Sequence, residues 1–149
     1  MPKGDLAALF NLDQLLPLVA LKIMTVHAID DTTLAGNVRK LAAGMGIEIR
    51  PDMEVERNPN QRTDHFPFLR PDVPATNFTF GFDPGAEAER RYREWYQVRY
   101  HRPQDDLSRA LDWGAVRDMN RVFSRLVEGV AQADARPAFA IGSGGKVRR

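Results

Sequence analysis

An α/β fold, with strands and helices alternating along the chain, is what the sequence predicts. The run VALKIMTVHAI from Val19 to Ile29 is rich in β-branched and apolar residues and suits a strand covered on both faces. A helical pattern follows it, with Leu34, Val38, Leu41 and Ala42 recurring on one face until Gly44 and Gly46 end it. Ile47 to Ile49 then reads as a short strand before Pro51, which completes a strand–helix–strand order.

Each remaining element has its own signal. Asp30, Asp31 and Thr32 offer N-cap oxygens to the first helix, which should run for about three turns. PDMEVERNPNQR, from Pro51 to Arg62, has two prolines, two asparagines and no apolar periodicity, the composition of a surface loop. Thr63 and Asp64 suit the cap of a short helical turn through His65, Phe66 and Phe68. Pro74 leads into ATNFTFGF, an alternating strand that ends at Gly81 and makes a second βαβ-like step. From Ala86 to Asp106 five arginines are mixed with Tyr92, Trp95, Tyr96 and Tyr100, and Pro103 marks the exit from regular structure. Asp112 should cap a long helix whose core stripe is Trp113, Val116, Met119, Phe123, Leu126, Val127 and Val130. ADARPAFAIGSGGKVRR is small, glycine-rich and basic, so the expected division is a domain over 1–134 and a loose tail over 135–149.

Composition narrows the classes. With 149 residues, 43% apolar and 28% charged, the chain suits one globular domain. A net charge of +1 leaves any polyanion partner to local clusters. The absence of cysteine excludes disulfides, thiolate metal sites and cysteine nucleophiles, so a metal would be held by His and carboxylates. Lys3, Asp5, Asp13, Pro17 and Lys22 break the apolar N-terminal segment well short of the ~20 apolar residues of a membrane span. No signal-peptide pattern is read there, and the compartment is not legible.

Three stretches carry candidate chemistry: NLDQ around Asp13, RTDHFPF around Asp64 and His65, and RYHRPQDD around His101. Taken singly, Asp13 reads as a cap or turn residue, and each histidine as a structural hydrogen-bonder. Taken in order, NLDQ, TDHFPFLRPDVPA and YHRPQD resemble the co-catalytic zinc exopeptidases of the aminopeptidase and glutamate-carboxypeptidase kind, over about Asn11 to Val130. The resemblance implies a mixed, mainly parallel sheet flanked by helices. It makes Asp13 a terminal ligand of one zinc, His101 a terminal ligand of its neighbour, and Tyr100 the phenol that steadies a tetrahedral intermediate. The residue types suit those roles, since carboxylate and neutral imidazole bind zinc and paired ions polarise a scissile carbonyl. Asp105, four residues past His101, fits either a partner that fixes the imidazole tautomer or a cap of the turn before the last helix. Asp64 and His65 resemble the pair that shapes the pocket and are not assigned to metal. Asn60 and Gln61 stand where related enzymes often carry a substrate-contacting Tyr, and Thr63 replaces the usual Ser.

The same resemblance implies that an early His-x-Asp, a bridging Asp and a Glu-Glu pair with the general base belong upstream of NLDQ. The twelve residues before Asp13 contain no His or Glu. The chain therefore resembles the carboxy-terminal half of such an enzyme, with no general base and one recognisable ligand per zinc out of about four. It is expected to bind zinc weakly and to hydrolyse nothing alone. A complementary N-terminal chain would complete it and allow it to take a peptide substrate, and such a chain or a homodimer would cover an apolar sheet edge. Members of the family are often exported. The alternative is a non-catalytic, self-associating remnant that binds a partner or polyanion through Arg90 to Arg102. Glu87, Glu89 and Glu94 interleave with those arginines, which favours a solvated, ion-paired helix face over a nucleic-acid footprint. His27 is expected to be a strand residue without catalytic duty.

Overall fold

The structure is a computed structural model and describes residues 5–13, 16–57, 62–69, 73–106 and 108–140. Its strands are β1 (Leu9–Asn11), β2 (Ile23–His27), β3 (Glu48–Arg50) and β4 (Ala75–Phe80), joined in one sheet of order β1-β4-β2-β3. The helices among the described residues include α1 (Ala35–Gly44), α2 (Phe66–Leu69), α3 (Glu87–Val98) and α4 (Trp113–Ala131), with a 3-10 turn at Val55–Arg57. β1 runs parallel to β4 and β2 parallel to β3, while β2 and β4 are antiparallel. The predicted mixed, mainly parallel α/β sheet is therefore what the chain forms.

Alternation along the strands separates the two faces of the sheet. Met24 and Val26 stand opposite Phe80 and Phe78, and these four point to one face. There they join Val38 and Ala42 of α1 and Ala115, Met119, Val122 and Leu126 of α4 in the main apolar core. Phe78 sits at its centre, fully buried between the rings of Phe10 and Phe123. The opposite face carries Thr25, His27, Asn77 and Thr79. Five buried residues in β2 agree with a strand covered on both sides, although one cover is apolar and the other polar.

The helix ends follow their sequence signals. α1 stops in a Schellman arrangement, with Ile47 N donating to Ala42 O and Gly46 N to Ala43 O. Gly46 takes the positive φ of 70° that this turn requires. Asp112 caps α4 by accepting from Ala115 N at 2.9 Å. Asp30, one of the cap candidates for α1, instead pairs with Arg39, and Thr32 Oγ1 accepts from Leu34 N.

Two expectations need correction. The buried stripe of α4 contains Ala115 and Val122, whereas Trp113 is 72% exposed and Val127 55% exposed. The true stripe is centred about 150° round the helix from Trp113, so large apolar size misplaced one edge of the face. The segment expected to be a loose tail is anchored at residues 138–140. Thr33 N donates to Ala138 O, Ala138 N to Thr33 Oγ1 and Ala140 N to Asp31 O, and Phe139 forms a bridge with Thr32. The backbone of the loop after β2 presents donors and acceptors that a passing extended chain satisfies. The rest of that segment, 141–149, lies outside the described residues.

Thr76 is the one polar side chain of β4 on the core face, and its buried hydroxyl has no hydrogen-bond partner among the described residues. Replacing Thr76 by the isosteric Val removes an unsatisfied hydroxyl without opening a cavity. Thr76→Val should raise the unfolding free energy by about 1 kcal/mol, read as a higher urea midpoint at unchanged m.

Candidate functional site

The residues singled out in the sequence occupy three places. Asp13 follows β1, half-buried, two residues past the strand end. Because β1 and β4 run parallel, Asp13 leaves the sheet at the carboxyl ends of these two strands, the edge at which β2 and β3 begin. Register here is held by a side-chain bond, Asn11 Nδ2 donating to Asn77 Oδ1 at 3.0 Å.

Tyr100 and His101 follow α3 directly. Tyr100 stacks on Tyr96 at 4.9 Å and contacts Trp95 at 4.9 Å, while His101 stacks on Tyr100 at 3.9 Å. His101 is exposed and held at a φ of 57°, a left-handed conformation that histidine adopts more readily than most residues. The aromatic ladder thus fixes the ring plane of a side chain that otherwise faces solvent. Asp105 accepts a hydrogen bond from Trp95 Nε1 at 2.8 Å. Among the described residues its side chain bonds to Trp95 and not to His101. The buried indole needs an acceptor, and Asp105 supplies it.

Asp64 and His65 part company. Asp64 is exposed on the turn before α2, whereas His65 is fully buried with Nδ1 2.7 Å from Thr63 Oγ1. Burial, with the charge of nearby His27 adding to it, lowers the His65 imidazole to about 4. Asn60 and Gln61 lie outside the described residues.

Sequence reading missed a polar row on the face opposite the core. Asn11 pairs with Asn77 across β1 and β4, and Asn77 with His27 across β4 and β2. Extending the β2–β3 register by two residues places His27 opposite Asp52, and the His27 Nδ1 to Asp52 Oδ2 distance is 3.9 Å. Burial lowers His27, partly offset by the Asp52 carboxylate. The signal was present as polar residues at period two, Thr25 and His27 in one strand and Asn77 and Thr79 in the other. A second cluster clasps the 3-10 turn to α3. Tyr92 Oη donates to Glu54 Oε2 at 2.8 Å, Arg57 pairs with Glu54 and donates to Tyr92, and its guanidinium lies 3.9 Å from the Tyr96 ring.

The arginines of α3 are engaged locally. Arg90 and Arg91 pair with Glu87, and Arg93 with Glu89, at 2.5, 3.0 and 2.7 Å. This is the ion-paired solvated face that the interleaved glutamates predicted.

The motif order and the strand-end position of Asp13 bring the comparison with known families to bear. The model of Peptidase family M28 matches residues 2–127. The chain belongs to peptidase family M28. This is a metallopeptidase family of hydrolases, and its members are generally zinc-dependent. No curated protein and no solved structure matches the chain. Among the described residues of this M28 chain, no three His, Asp or Glu side chains are grouped to hold a metal ion. Asp13 and His101 have the right donor chemistry, but the described residues do not assemble a zinc site. No described helix is long and apolar enough to cross a membrane.

Proposed function

We propose that this chain supplies the carboxy-terminal half of a zinc-dependent exopeptidase domain that removes terminal residues from peptides. In this reading Asp13 and His101 each give one ligand to a two-zinc site, and Tyr100 donates a hydrogen bond to the developing oxyanion. The remaining ligands and the general base come from a complementary amino-terminal chain. Asp64 and His65 shape the pocket wall. The observation that carries the reading is the M28 match over residues 2–127, which spans all three motif stretches.

Zinc analysis of the purified chain, beside release of a fluorogenic aminoacyl group, tests it. Little bound zinc and no turnover are expected for the chain alone, and both should appear when a complementary M28 amino-terminal half is added. Two tightly held zinc ions with turnover in the isolated monomer would overturn the half-site reading.

A further inference from the structure

In and just past α3 the tyrosines recur at every fourth residue, Tyr92, Tyr96 and Tyr100, so the helical turn sets them one above another along a single face, and His101 follows directly. Tyr96 lies on Tyr100 at 4.9 Å with the planes 18° apart, and Tyr100 on His101 at 3.9 Å with the planes 25° apart. The row does not begin in α3. At its other end the Arg57 guanidinium covers Tyr96, 3.9 Å from the ring centre, and Arg57 belongs to the 3-10 turn.

We propose that Tyr96 is a positioning residue for Tyr100 and His101 and that Arg57 seats it, so that the 51–57 loop and the His101 turn form one mechanically coupled unit. What Tyr100 and His101 then do rests on the half-site reading. How they are held does not, because zinc plays no part in the stack.

Arg57 is suited to act as a fixed base. It is half-buried, paired with Glu54 at 2.5 Å and donating to Tyr92 Oη, which itself donates to Glu54. Glu54 is half-buried too and has Arg93 as a second cation at 3.7 Å. A guanidinium tied in this way keeps its plane, and a planar cation over a tyrosine face is attracted electrostatically as well as by contact.

The far end is the opposite. His101 is exposed, and an exposed imidazole turns among its rotamers unless a neighbour holds it. Its φ of 57° sets the direction of the backbone and leaves the ring plane to the stack. Tyr100, which carries that ring, meets both Tyr96 and Trp95. Trp95 is fixed separately, being buried and bonded to Asp105, and it meets Tyr100 at a tilt of 58°. Tyr96, at 18°, covers the face of Tyr100 and is therefore the rung whose plane is passed on to His101.

NMR of the zinc-free chain tests this at the carbon-bound imidazole protons of His101, assigned by their loss in His101→Gln. In the wild type the face of the Tyr100 ring should shift them upfield of a solvated histidine. Tyr96→Leu should remove that shift, whereas Tyr96→Phe, which keeps the ring and drops the hydroxyl, should retain it. The Trp95 Nε1–H resonance reports the separate bond to Asp105 and should stay in place in both variants. Arg57→Met removes the base without altering α3, leaves Glu54 with Tyr92 and Arg93, and should diminish the shift. A shift that survives Tyr96→Leu assigns the hold to Trp95 and overturns the proposal, as does a shift lost equally in Tyr96→Phe. If Tyr96→Leu fails to fold, Arg57→Met decides, and an unchanged shift there overturns the coupling of the loop to His101.

Discussion

Truncating Phe78 to Ala should lower the unfolding free energy by about 3–5 kcal/mol, the range for large aromatic residues in a packed core. Phe78 has no solvent exposure and sits on β4, the strand between β1 and β2. Its ring meets Phe10 at 6.1 Å and Phe123 at 4.9 Å, both edge-to-face, so one side chain joins β1, β4 and α4. Loss of the ring removes its transfer free energy and its aromatic pairs, and leaves a cavity that three separate elements cannot close together. Trp113→Ala is the control. Although larger, Trp113 is 72% exposed, and its loss should stay within about 0.5 kcal/mol. Urea unfolding of both variants reads the contrast. A larger loss for Trp113 than for Phe78 would reverse the assignment of the α4 face.

His101→Ala should reduce zinc affinity in a reconstituted enzyme by more than the ~10–100-fold that losing an outer partner costs, and abolish most turnover. His27→Ala should leave zinc affinity near wild type, because His27 is buried on the polar sheet face beside Asn77 and Asp52. The structure sharpens the contrast. His101 is exposed, its ring braced by Tyr100 and its backbone set at positive φ, a combination that presents the imidazole outward. Competition of each variant with a chromophoric zinc chelator measures the difference. Because His27→Ala is expected to destabilise the fold, zinc binding is compared at a temperature where both variants remain folded. Equal losses in the two would sink the ligand assignment of His101.

Much of the architecture was legible before any coordinates. The Val19–Ile29 run contains β2, the 34–42 pattern marks most of α1, ATNFTF is β4, and Asp112 caps α4 as its position implied. These elements were readable because each rests on local rules of periodicity, capping and glycine at a helix end. β1 was harder to see, since three half-buried residues carry too short a pattern to mark a strand, and only pairing with Ala75–Asn77 makes them one. The candidate site was legible as motifs and not as geometry. NLDQ, TDHF and YHRP named the stretches, yet they do not say that Asp64 faces solvent while His65 is enclosed, or that Asp105 serves Trp95.

By itself the sequence determined the α/β class, the order of the main elements, the ion-paired surface of α3 and membership of a family whose motifs survive in sequence order. Each of these follows from residues near one another along the chain. Only the tertiary structure decided which face of α4 is buried, where residues 138–140 run, and that His27 and Asn77 share one buried polar face. Those outcomes depend on strand register and on contacts between residues tens of positions apart. A one-residue slip would send every side chain of a strand to the other face, so they arise only when the whole sheet is assembled.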